Sequence, residues 1–157
     1  MDPKQAFSEI FSEKENFIDL YAFCTGKKLE PSVLEYWPHS STKLINAVTF
    51  LSKDSFIIFT AQSEITPDIP LCYLVHYSDL AFSWHNRNGD IENVPLPEFY
   101  IIYYGENKPQ DWVISATAPN MTVNIHIHDL NYNRTYPHVA TIGTLVGYSS
   151  FCKEYQK

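Results

Sequence analysis

The chain has 157 residues, of which 45% are hydrophobic, 15% aromatic and 18% charged. That is the composition of one packed domain, 1–157, and it excludes a disordered chain. A net charge of −7, with 11 Lys and Arg against 18 Asp and Glu, disfavours nucleic acid, whose phosphates call for clustered bases.

The first residues, MDPKQAFSEIFSEKENF, place acids among the apolar positions and predict neither a signal peptide nor a membrane span. They read as helix. Asp2 can cap, Pro3 suits the first turn, and Phe7, Ile10, Phe11, Phe17, Ile18 and Tyr21 recur at three- and four-residue steps. Ser12-Glu-Lys-Glu15 has the form of a capping box, so two short helices meeting near Ser12 are expected, with Gly26 as the stop. One helical turn is placed at Pro31 to Glu35.

From there the period becomes strand-like. Strands are predicted at Leu44–Leu51, Ser55–Ala61, Leu71–Tyr77, Leu80–Trp84, Phe99–Tyr104, Trp112–Thr117, Thr122–His128 and His138–Tyr148, each rich in β-branched or aromatic residues and bounded by turn formers. LSKDS reads as a hairpin and Asn88-Gly89 as a turn. In FYIIYYG both alternating sets, Phe99/Ile101/Tyr103 and Tyr100/Ile102/Tyr104, are apolar, which predicts a central strand covered on both faces. The linkers look too short for crossover helices. The expected fold is therefore α+β, an N-terminal helix or helix pair packed on a large, curved, mainly antiparallel sheet. An all-β half-barrel with a peripheral helix is the alternative.

Three odd, widely spaced cysteines, Cys24, Cys72 and Cys152, favour a reducing, cytoplasmic setting over a disulfide framework. Nucleophilic catalysis has no motif: there is no GxSxG elbow, and the five glycines never cluster into a phosphate loop. His39-Ser-Ser41 and His76-Tyr-Ser78 share a phosphodiesterase-like HxS spacing but are followed by Thr42 and Asp79 where an apolar residue belongs. No catalytic residue is assigned, and a non-enzymatic role is expected.

The histidines are the exception to this blandness. Along Thr122 to His128 the apolar residues alternate with Asn124, His126 and His128, so both imidazoles share one face of a strand. His138 would join them if a hairpin set it opposite His128; a slip of one residue would send it to the other side. Such a trio could hold a divalent transition metal or serve as acid and base on a small substrate, so a metal- or histidine-dependent enzyme or small-ligand pocket protein using the His126/His128 strand is the alternative function; the plainer expectation is a polar strand face and no cofactor. An aromatic-lined pocket behind Tyr100 to Tyr104 is a further reading.

The charge is the most uneven feature. From Asp54 to Glu106 there are eight acids against Arg87 alone, so this segment carries the entire surplus of −7. A field concentrated in this way attracts a basic protein partner and speeds association. Glu64, Asp68, Asp79, Asp90 and Glu92, with Trp84 as an aromatic anchor, are the candidate partner-binding residues. In size and charge the chain resembles toxin-neutralising immunity proteins, which implies an inhibitor that occludes a basic partner's active site.

Overall fold

The structure, a computed structural model, describes residues 1–38, 43–90, 92–118, 121–130 and 143–157. Two short helices open it, as expected. In α1 (Pro3–Phe11) the Asp2 carboxylate accepts from the Gln5 amide at 2.9 Å, and Pro3 sits where no amide partner is needed. In α2 (Lys14–Thr25) the expected capping box is not built. Ser12 instead donates to the Glu9 carbonyl at 3.2 Å, and Glu13 stands at the N-cap without a side-chain bond. Gly26, at φ +72°, ends α2 in the left-handed region that favours glycine.

A turn of 3-10 helix, Pro31–Val33, leads into one open six-stranded sheet, in the spatial order β1-β2-β3-β4-β6-β5. Its strands are β1 (Glu35–Tyr36), β2 (Val48–Leu51), β3 (Ser55–Gln62), β4 (Leu96–Tyr103), β5 (Val113–Ala118) and β6 (Met121–Asp129). β1–β2, β2–β3 and β5–β6 pair antiparallel, β3–β4 and β4–β6 parallel. The sheet is thus mixed: three of its five pairings have the expected antiparallel sense, and the two that flank β4 are parallel. Helices also cover both of its faces, unlike those of an all-β half-barrel with one peripheral helix.

The cause of that difference is α3 (Ile69–Asn88), a 20-residue crossover between the parallel strands β3 and β4. Its sequence reads as two strands because apolar residues occur on both sides of the helix. Ile69, Tyr73, His76 and Leu80 face inward at helical spacing, while Leu71 (59% exposed), Val75 (45%) and Phe82 (70%) face outward. Asn88-Gly89 is the end of this helix rather than a hairpin turn; Gly89 takes φ +69° and its amide reaches the His85 carbonyl at 2.7 Å. Likewise Gly143–Tyr155 is a helix, α4, that buries Leu145, Tyr148, Ser149 and Cys152 on one face. It overlaps the strand expected at His138–Tyr148, whose first residues lie outside the described ones. β2 starts only at Val48, four residues later than expected, since Asn46 at φ +59° belongs to the preceding turn. The LSKDS hairpin is present, closed by Ser52 and Ser55.

Two apolar layers sandwich the sheet. On one side α1, α2 and α4 cover Val48, Phe50, Ile57, Phe59, Tyr100 and Ile102; Phe17 sets its ring 4.1 Å from that of Phe50 and 5.6 Å from Phe59. Tyr148 closes this layer by donating to the Pro3 carbonyl at 2.9 Å. On the other side α3 covers Phe56, Ile58, Phe99, Ile101, Ile125 and Ile127. β4 alternates between the two layers residue by residue from Phe99 to Tyr104, the two-sided burial that FYIIYYG predicts. Arg87, near the end of α3, pairs with Glu35 at 2.8 Å and lies 4.8 Å over the Trp37 ring, which ties short β1 to the crossover.

Inside the α3 layer, Tyr73 is fully buried, accepting from Thr60 Oγ1 at 2.7 Å and donating to the Tyr100 carbonyl. Tyr73→Phe removes the donor to that carbonyl and leaves the buried Thr60 hydroxyl with only the Gln62 amide, at 3.2 Å, without changing packing volume. It is expected to cost about 1–3 kcal/mol in urea unfolding with an unchanged m value.

Candidate functional site

The carboxyl ends of parallel strands are where open α/β sheets place their clefts, because the chain leaves adjacent strands toward opposite layers there. At the ends of β3 and β4 a cleft of about 630 Å³ is lined by Ser63, Glu64, Tyr103, Gly105, Glu106, Lys108, Asp111 and Gln156 among others. Glu64, Glu106 and Asp111 are exposed. Lys108 is drawn to one wall, 5.5 Å over the Trp112 ring. A second hollow of about 590 Å³, bounded by Thr66, Pro67, Val113 and Ser115, shares Ile65, Asp111 and Ile114 with the first, so one groove runs from the acidic cleft to β5.

Gly105 fixes the mouth of this groove. A Cβ there would overlap the Ser63 carbonyl and the Tyr103 phenol, so the ends of β3 and β4 close together only over a glycine. Gly105→Ala is expected to lower stability by about 1–3 kcal/mol, read as a lower melting temperature.

The groove ends at an edge strand. β5 is last in the sheet order, and its residues Val113 to Ala118 carry no charge. The Ile127 amide bonds the Trp112 carbonyl at 2.8 Å. Antiparallel alternation then turns the amides and carbonyls of Val113, Ser115 and Thr117 away from β6, toward the free edge. Among the described residues no strand covers them.

The six residues singled out for partner binding do not form one patch. Glu64 and Asp68 lie at the start of α3, Asp79 midway, Asp90 and Glu92 beyond its end, and 20 helical residues span about 30 Å. Asp68 is held by the Thr66 hydroxyl at 2.5 Å and Asp90 by Asn93 at 2.6 Å; these bonds keep both carboxyls below their usual range. Trp84 packs half-buried against the α3 layer rather than standing free as an anchor. What the fold brings together is Glu64 with Glu106 and Asp111. Asp111 lies outside the acidic segment, and only the knowledge that β4 is parallel to β3 would have pointed to the loop that holds it.

His126 and His128 share one face of β6, as the alternation predicts. Parallel register sets them beside Tyr100 of β4, with ring centroids 5.9 and 6.1 Å away. His126 is exposed and His128 is buried, 6.4 Å from the Phe23 ring. Close by, Tyr21 and Tyr100 both donate to Glu98 Oε1, at 2.9 and 2.8 Å. Burial and this carboxylate push the Tyr21 phenol up to about 12 and raise Tyr100 further. His138 lies outside the described residues, and among those described no three His, Cys, Asp or Glu side chains are grouped to hold a metal ion. All three cysteines are free, and burial raises their thiols, which makes them poor nucleophiles at neutral pH.

Desolvation, and then His126, push His128 down to about 4, below its ordinary 6.5. The unfolded chain therefore takes up this proton first as pH falls. The contribution is complete above pH 6.5 and is lost toward pH 4, about 3 kcal/mol in all. His128→Leu is expected to flatten the fall in urea stability between about pH 6.5 and 5 relative to the parent protein, while equal slopes would assign that fall to other groups.

Among the described residues no helix is long and apolar enough to cross a membrane. Comparison with protein-family models, curated protein sequences and solved structures found no match.

Proposed function

We propose that this protein is a non-enzymatic binding module that takes an extended, basic segment of a partner protein. The segment adds to the free edge of β5, and its cationic side chains meet Glu64, Glu106 and Asp111. The observation that carries this reading is the continuity of the groove: the hollow beside Val113 and Ser115 opens into the acidic cleft through Ile65, Asp111 and Ile114.

The two parts do different work. Main-chain pairing along an exposed edge supplies affinity without regard to sequence. Exposed ion pairs add only about 0–1 kcal/mol each, but they select for basic segments and accelerate encounter. The uncharged run VISATA is unusual for an unprotected edge, which is ordinarily blunted by Lys or Pro because it invites pairing with another chain. Burying a basic segment of a partner in this way would occlude it, the mode of an inhibitor. Three free thiols suit a reducing compartment for that encounter.

A panel of six-residue peptides alternating Lys or Arg with Val or Thr tests the reading by calorimetry. Basic peptides are expected to bind at low salt, and the Glu64→Lys, Glu106→Lys, Asp111→Lys triple variant to bind them roughly tenfold or more weakly. Reversal of Asp54 and Glu92, away from the groove, is expected to change little. Ser115→Pro removes an outward amide while sparing the ladder to β6, so it should keep the fold and lose the peptide. Equal binding by all of these variants, or none by the parent protein, would refute the proposal.

A further inference from the structure

The amino ends of β4 and β6 carry a second site. Their parallel pairing begins only at Phe99 with Ile125. Below it, β4 pairs through Leu96–Glu98 with β3 alone, and β6 pairs through Thr122–Asn124 with β5 alone. The two strands part, and a cleft of about 540 Å³ opens between them at the end of the sheet opposite the acidic groove.

The chemistry of that cleft is specific. Tyr77, Phe99 and Tyr100 bring aromatic rings to its walls, Leu96 an aliphatic surface, and Glu98 its one acid among the described lining residues, which include no Lys or Arg. Glu98 is fixed in place, because the phenols of Tyr21 and Tyr100 both donate to Oε1. Among the described residues no donor reaches Oε2. An anionic ligand would meet this carboxylate with no Lys or Arg and only the His126 imidazole to offset it among the described lining residues, and a metal ion would find too few ligands. A neutral apolar ligand would leave the carboxylate's remaining oxygen without a partner as water is displaced. An amine fits all three constraints: its ammonium group pairs with Oε2, aromatic rings favour a cation beside them, and an apolar body covers Leu96 and Phe99.

We propose that the cleft between the amino ends of β4 and β6 is a binding site for a small organic amine with an apolar body, held at Glu98. It is independent of the basic-segment groove, since the two share no lining residue.

Three probes of matched shape test this: 4-phenylbutylamine, 4-phenylbutanol and 4-phenylbutyrate, titrated into the full chain and followed by amide and imidazole NMR shifts. The amine is expected to bind saturably, with shifts at Leu96, Asn124 and His126, and about tenfold or more tighter than the alcohol, while the carboxylate stays out. Glu98→Gln, which still accepts from both phenols, is expected to abolish the preference for amine over alcohol; Glu64→Gln is expected to leave it unchanged. Amine and alcohol binding alike, or amine-induced shifts confined to Glu64 and Gly105, would overturn the assignment. The comparison of probes on the parent protein stands even where the Glu98 variant does not fold.

Discussion

From Phe99 to Tyr104 every side chain is buried, in turn under α3 and under the layer of α1, α2 and α4. A strand in that position has no face to give to water, so both its neighbours must be paired and both its faces must be covered. The mixed sheet follows from that requirement. β3 reaches β4 through a helix that covers one face, and the chain returns to β6 only after a hairpin with β5 has provided the outer edge. Packing on one side is largely aromatic, with Phe59 stacked 4.7 Å from Tyr100 and Phe17 wedged against Phe50. On the other side a buried hydroxyl pair, Thr60 and Tyr73, joins the crossover helix to the strands it spans.

The same arrangement gives the two ends of the sheet opposite characters. At the carboxyl ends, loops leave β3 and β4 side by side and set Glu64, Glu106 and Asp111 around a polar groove. At the amino ends, β4 and β6 diverge, and the gap exposes residues of both layers, so that it is walled by rings and holds one anchored carboxylate. Charge in the first is peripheral and screened by solvent. Charge in the second is partly buried and held by two phenols, where Coulombic attraction is stronger.

Several elements were legible from residues alone. The Asp2 cap and the stop at Gly26 bound the helix pair, because capping depends on local chemistry; the break near Ser12 is present too, though without the capping box that suggested it. The double alternation in FYIIYYG and the shared face of His126 and His128 are also local, since strand periodicity needs no partner to be read. α3 was not legible: Leu71, Val75 and Phe82 place apolar side chains on its outer face, and the contrast that distinguishes an amphipathic helix from a buried strand is lost. Once α3 is read as two strands, the direction of β4 relative to β3 reverses, and with it the location of every loop at the sheet's ends. The role of Glu98 was hidden for a different reason. It counts toward the acidic surplus, yet its partner Tyr21 lies 77 residues away, and such a bond has no trace in either local sequence.

Gln156 donates from its amide to the Tyr104 carbonyl and lines the acidic groove. Any polypeptide continuing beyond Lys157 therefore departs from the rim of that groove. Tethered there, a positively charged extension would experience an effective concentration set by its own length, in the millimolar range for a short flexible linker, and would compete with any ligand in solution. A basic affinity tag on that terminus would act as an intramolecular competitor.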